Sequence, residues 1–253
     1  MRFNRTLILL YAATSLLIGC KTQKIQYLPQ VSYNTNIVID NSITPDSTII
    51  AYYAPYKVKL EKEMNRQIGY SDYYLSKVRS QPEFLVGNFF ADALLTIGKQ
   101  IDPETQLSLA TKDGIRTEVK QGPITVGSMF ELMPFENTIT VLELKGTDVL
   151  ELCEFIAKAG GQPIAGFTMQ IEHDKPVNIN INGQPLDTNK TYKLVTYDYL
   201  ANGGDYIKGI TNPISRINTP NTVREELIRY VEELTSKGKH VNTQLDGRIT
   251  ILK

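Results

Sequence analysis

Apolar positions along the chain switch between a helical period and strict alternation, and the switches predict interleaved helices and strands. DSTIIAYYAPYKVKLEKEMNRQIG predicts a helix capped at Asp46 or Ser47 and stopped at Gly69. Pro55 lies inside it and is expected to kink it or to mark an earlier boundary. YYLSKV, residues 73–78, reads as a short strand. Phe84, Leu85, Phe89, Ala91, Leu94, Leu95 and Ile97 share one face of an amphipathic helix with Pro82 at its start. QLSLAT reads as a strand, VGSMFELM as a short helix and TITVLELK as an alternating strand. A helix from Thr147 to Ala159 ends at Gly160 and Gly161. FTMQIEH reads as a strand, VNININGQPL carries a hairpin signal at Asn182-Gly183, and TYKLVTYDYL is a further strand. TVREELIRYVEELTSKG is a helix ending near Gly238, and GRITIL is a last strand. No strict βαβ rhythm runs through this order, which predicts the α+β class: a single domain with a mixed β-sheet packed by helices.

The domain is expected from residue 45 to residue 253. Before it, the chain from Lys21 to about Asn41 is polar and without period, apart from one candidate strand at Ile37 to Ile39. Residues 20–44 therefore read as a tether. The first residues, MRFNR, are basic, and TLILLYAATSLLIG is an apolar run of 14 residues, short for a membrane span and suited to the core of a signal peptide over residues 1–19. The run ends in LLIGC, which resembles the lipobox of bacterial lipoproteins. That resemblance implies acylation of Cys20, export, and a lipid anchor to a bacterial membrane, periplasmic or outward-facing.

The 253 residues are 42% hydrophobic and 21% charged, enough for one sizeable core. Lys plus Arg and Asp plus Glu balance at 27 each, so no net field favours nucleic acid as a partner. The one Cys beyond Cys20, Cys153, reads as a small core residue of its helix.

Metallophosphatase elements, a Walker loop, GxSxG and HExxH are all missing. The two His, His173 and His240, read as surface residues, and no metal or other cofactor is expected in this chain. Recognition residues are present instead. Arg116 follows a strand in KDGIR, Phe135 lies in MPFEN, and Tyr199 and Asp205 flank glycines in DYLANGGDY. All four stand at ends of predicted elements, where binding loops form. An Arg forks onto an anion, aromatic rings sandwich a planar base, and an Asp accepts from two ribose hydroxyls. Each also has a plain structural reading: Phe135 and Tyr199 as core, Asp205 as a turn cap, Arg116 as a surface charge.

GNFFADALL, DGIR, MPFENTITVLELKGTDVLELCE and YKLVTYDYLANGGDY occur in the order found in the C-terminal domain of 5′-nucleotidases. The chain resembles that family from about residue 45 to residue 253. The resemblance implies a domain that binds the nucleoside part of a nucleotide, beside a separate metallophosphatase domain that holds two metal ions. It places the base-stacking rings at Phe135 and Tyr199, the ribose-binding carboxylate at Asp205, and substrate arginines at Arg116 and Arg79, with Asn202 in the same substrate-binding set. Tyr206 is then a packing residue. Where the family has Asn-Gly-Gly-Gly-Ile-Arg, this chain has Thr111-Lys112-Asp113-Gly114-Ile115-Arg116, which removes glycines and adds charge. The chain is expected to be the substrate-binding half of a split 5′-nucleotidase acting in nucleotide catabolism, partnered by a separately encoded metallophosphatase that carries the divalent metals. The alternative is a nucleoside- or nucleotide-binding lipoprotein with no catalytic partner.

Overall fold

The computed structural model of the protein describes residues 38–252. Cys20, the apolar run and Ile37 lie outside the described residues. Val38 and Ile39 are not in a strand. The chain divides at Ser47, and the architecture that follows is that of the unit from Thr48 onward.

Helix α1 (Ser47–Met64) continues through Pro55. Proline leaves the carbonyl of Ala51 without its helical donor, and Ala51 is exposed, so that oxygen is not shut away from solvent. No residue of α1 is buried, and Tyr52, Tyr53, Tyr56 and Leu60 stand exposed on its successive turns. The helix stops at Met64, not at Gly69. Gly69 instead belongs to strand β1 (Gln67–Ser71), where a Cβ would meet Val231 Cγ1 at 2.5 Å. A side chain there would push β1 off the helix that covers it.

β1 pairs antiparallel with β3 (Gly122–Thr125). The strand expected over residues 73–78 is reduced to a single bridge between Leu75 and Val119. Helix α2 (Leu85–Ile101) starts beyond Pro82 and buries Val86, Phe89, Phe90, Ala93, Leu94 and Ile97. Burying such side chains fully is worth about 1.5–3 kcal/mol each for the larger ones. They face a five-stranded sheet in the order β10-β4-β9-β2-β5. Its members are β2 (Thr105–Leu109), β4 (Thr138–Lys145), β5 (Ile164–Ala165), β9 (Thr191–Tyr197) and β10 (Ser215–Thr222). Strand β9 is central and buries Tyr192, Leu194, Val195, Thr196 and Tyr197, so both of its faces are covered.

Edge strand β10 was not foreseen. Its sequence, SRINTPNT, holds Ile217 as its one large apolar residue and includes Pro220, a pattern that only a strand paired on one side tolerates. A second sheet, β11-β6-β7-β8, contains β6 (Phe167–Glu172), β7 (Lys175–Ile181), β8 (Gln184–Pro185) and β11 (Ile249–Ile251). Its β7–β8 turn is the expected one, with Asn182 and Gly183 at φ 49° and 76°. Helices α3 (Val126–Leu132), α4 (Gly146–Lys158) and α6 (Val223–Ser236) complete the packing, and a four-residue helix α5 (Asp198–Ala201) follows β9. Parallel pairs β2/β9 and β6/β11 sit among antiparallel ones, so the two larger sheets are mixed, as the α+β reading required, while the β1–β3 pair is antiparallel.

Strand direction decides where the loops meet. β9 runs parallel to β2, with Ser108 opposite Val195, and antiparallel to β4, with Ile139 opposite Tyr197. The ends of β2 and β9 and the start of β4 therefore share one sheet edge. β10 is antiparallel to β4, with Thr222 opposite Thr138, which brings the start of α6 to the same edge.

Candidate functional site

Three segments meet at that edge: 110–116 after β2, 133–137 before β4, and 198–206 after β9. They enclose an open cavity of about 690 Å³, in the range of small-molecule sites. Arg116, Phe135, Tyr199 and Asp205 all line it, with Asp113, Gly114, Pro134, Glu136, Asn137 and Tyr197.

Tyr199 is 48% exposed, which excludes a core role. Two glycines shape its support. Gly203 turns the chain at φ +90°, a conformation closed to most side chains. A Cβ on Gly204 would lie 2.4 Å from the Tyr199 ring, so only glycine lets the backbone back one side of the ring. Asp205 follows at φ 54°, a left-handed position that Asp tolerates. Its carboxylate is held at both oxygens. Thr111 Oγ1 donates to Oδ2 at 2.6 Å, and the Tyr199 hydroxyl donates to Oδ1 at 3.0 Å. Behind them Tyr197 is fully buried, and burial pushes its phenol up to about 12. Tyr206 is 89% exposed and thus not a packing residue, and it too is left-handed, at φ 56°.

Phe135 is 38% exposed, again outside the core. The Arg116 guanidinium carbon stands 5.9 Å from its ring centroid, within cation–π reach. The backbone of this segment is fixed by Arg224, the second residue of α6. Arg224 Nη1 donates to the Phe135 carbonyl at 3.1 Å and to that of Met133 at 3.4 Å, and Nη2 pairs with Glu136. The same guanidinium lies 4.1 Å from the Phe130 ring centroid.

The 110–116 segment brings charges of both signs to the site, with Asp113 and Arg116 in the lining. Arg79 pairs with Asp113, and Arg116 Nη1 donates to the Asp113 carbonyl at 3.4 Å. Lys112, which stands at a glycine position of the family motif, is buried and donates to the Gly160 carbonyl at 3.0 Å. Burial holds its amine below the ordinary lysine value, and the charge of Arg79 adds to the effect. Lys77 is lowered by burial first, then by Arg79 and Arg116. The cavity lining thus combines one guanidinium, Arg116, with the exposed rings of Phe135 and Tyr199 and the carboxylate of Asp205. This set suits a planar ring, a vicinal diol and an anion.

Of the six substrate residues expected from sequence, Arg116, Phe135, Tyr199 and Asp205 share the cavity lining. Arg79 reaches it through its ion pair with Asp113. Asn202 does not line it; its Oδ1 accepts from Arg216 Nη1 at 2.7 Å. Thr111, Asn137, Asp198 and Arg224 carry no role in the sequence-based expectations yet hold the site together. Thr111, Asn137 and Asp198 lie within the stretches singled out above, while Arg224 carries only the signal of a helix start. Among the described residues no three His, Cys, Asp or Glu side chains are grouped to hold a metal ion. The His240 ring centroid lies 4.9 Å from that of Tyr70 with the planes tilted by 39°, and its Nδ1 is 2.7 Å from Asp72 Oδ1. Cys153 is fully buried on α4.

The chain matches the 5′-nucleotidase, C-terminal domain family over residues 67–211. It is 26% identical over 202 residues to a 5′-nucleotidase of Vibrio parahaemolyticus, covering 78% of this chain and 36% of that one. It is 26% identical over 246 residues to the cell wall protein Lmo0130 of Listeria monocytogenes, covering 87% of this chain and 30% of that one. The solved structure of a 5′-nucleotidase precursor from Thermus thermophilus superposes with a TM-score of 0.69 at 28% identity, covering 81% of this chain and 42% of that one. The chain thus spans about a third of the length of these curated relatives. It belongs to the 5′-nucleotidase C-terminal domain family.

Proposed function

We propose that this chain is the nucleoside- or nucleotide-binding half of a split 5′-nucleotidase. The observation that carries the reading is the shared cavity lined by Arg116, Phe135, Tyr199 and Asp205. The base stacks between the two rings, the ribose hydroxyls bond to Asp205, and Arg116 with Arg79 faces the phosphate. Nucleotides fit because each of the three chemistries at the site meets one part of the ligand. The phosphate is cleaved by a separate metallophosphatase chain, which supplies two divalent metals and the attacking water. This half contributes position, holding the phosphate ester where the partner's metals act on it. The exposed side chains of Tyr52, Tyr53, Tyr56 and Leu60 on α1 supply an apolar stripe for that partner. Export and a lipid anchor at Cys20 complete the proposal and place the reaction at a membrane surface.

A phosphate-release assay tests it. The purified chain releases no phosphate from AMP with or without added divalent metal, and release begins when a metallophosphatase encoded beside it is added. Metal-dependent turnover by the chain alone would overturn the split arrangement. Binding of AMP with no gain from any such partner would favour a nucleotide-binding lipoprotein without a catalytic role.

A further inference from the structure

We propose that Asp198 is a positioning residue that sets the spacing of the Phe135 and Tyr199 rings. The inference rests on the nucleotide-binding reading of the cavity and goes beyond it to a residue outside the lining. The ladder between β4 and β9 ends at the pair Ile139 and Tyr197. One residue further on, the Asp198 side chain takes over from the backbone. Its Oδ1 accepts from Thr138 N at 3.2 Å, from Asn137 Nδ2 at 3.0 Å and from Tyr199 N at 2.8 Å. The first two donors belong to the segment leaving Phe135, and the third is the amide of Tyr199 itself. One charged oxygen therefore ties together the two ring-bearing segments.

A helix-capping role does not account for this geometry. A capping carboxylate accepts from amides two or three residues ahead, inside its own helix. Asp198 accepts from the very next amide and from two donors across the sheet edge, and α5 is only four residues long. The Phe135 segment is meanwhile held from its other side by Arg224, through the carbonyls of Met133 and Phe135. With that side fixed, the carboxylate determines how far Tyr199 stands from Phe135. Charge-assisted bonds are roughly twice as strong as neutral ones, which suits a brace that holds a fixed gap between the two ring-bearing segments. A base between two rings makes use of that gap; a ligand without a base does not.

The test compares Asp198→Ala and Asp198→Asn with the unaltered protein in titrations with AMP and with ribose 5-phosphate. Asp198→Ala is expected to weaken AMP binding tenfold or more and to change ribose 5-phosphate binding less than threefold. Asp198→Asn keeps a neutral acceptor at the same position and recovers most of the AMP affinity. In the ligand-free protein, exchange of the Thr138 and Tyr199 amides accelerates tenfold or more in Asp198→Ala, with Val141 and Leu194 unchanged. Equal losses for both ligands, or no loss for either, would overturn the proposal. If the Ala variant does not fold, amide exchange in the Asn variant decides, since a weakened brace speeds the Thr138 and Tyr199 amides and an irrelevant one leaves both unchanged. Should the unaltered protein bind no AMP, the nucleotide reading fails by itself, and unchanged exchange at the two amides would separately refute the brace.

Discussion

Tyr199 and Asp205 are joined by a hydrogen bond from the phenol to Oδ1, 3.0 Å long, across a turn that both glycines make possible. In the proposed nucleotide site the ring meets the base while its hydroxyl orients the carboxylate assigned to the ribose. Tyr199→Phe keeps the ring face and frees Oδ1 for the ligand, so AMP affinity is expected to stay within about threefold. Tyr199→Ala removes the face and is expected to cost about 1–3 kcal/mol of binding, the range for base–aromatic stacking. Thermal unfolding should barely move, because the ring is half-exposed. A loss of several kcal/mol of stability would instead mark Tyr199 as a core residue.

Gly204→Ala tests the support behind that ring. The new Cβ would need the space 2.4 Å from Tyr199 Cε1, so the ring must swing toward the cavity. AMP binding is expected to fall about tenfold or more, while Gly238→Ala, where a Cβ has open space, leaves AMP binding unchanged. Calorimetry on both variants reads the difference. Equal effects would show that contact with the ring is not what Gly204 provides.

Asp205→Asn takes away the charged acceptor proposed for the sugar and keeps a residue type that tolerates the left-handed turn beside Tyr199. Hydrogen bonds to charged groups contribute about 1.5–3 kcal/mol, so adenosine should bind correspondingly more weakly. 2′,3′-Dideoxyadenosine, which has no diol to offer, should bind the variant and the unaltered protein alike. A loss of the same size for both nucleosides would assign Asp205 to the turn and not to the sugar.

Alkaline pH is expected to destabilise the fold through Cys153. Burial pushes its thiol from an ordinary value of 9.0 up to about 12. The unfolded chain therefore loses this proton first, and between pH 9 and 12 the folded state binds more protons. Stability is fully present below pH 9 and declines as pH rises, with a limiting slope of about 1.4 kcal/mol per unit. Tyr197 adds the same sign from pH 10 upward, since its phenol is also raised to about 12. Chemical denaturation at pH 8, 9 and 10 should show the decline in the unaltered protein and a flatter profile in Cys153→Ala.

The central elements and the four lining residues were legible because the sequence marks them locally. Alternation in TITVLELK, helical spacing from Phe84 to Ile97, and the Asn182-Gly183 turn each state a backbone preference that packing then confirms. Phe135, Tyr199, Arg116 and Asp205 were visible as unusual residues at element ends. What bound them into one site was strand direction, which no local pattern carries. β10 escaped notice because an edge strand needs few apolar residues, and the stop at Gly69 was misplaced because that glycine serves a contact with Val231, far along the chain. Asp198 and Arg224 were hidden for the same reason: their partners lie 60 to 91 positions away, and neither type of residue is unusual at a helix start.

The most direct measurement is calorimetric titration of the purified protein with AMP, alone and after Phe135→Ala and Tyr199→Ala are combined. The account predicts saturable binding at one site per chain and its loss in the double variant, with the fold intact by circular dichroism. Absence of binding by the unaltered protein at millimolar AMP, or undiminished binding by the folded double variant, would contradict it.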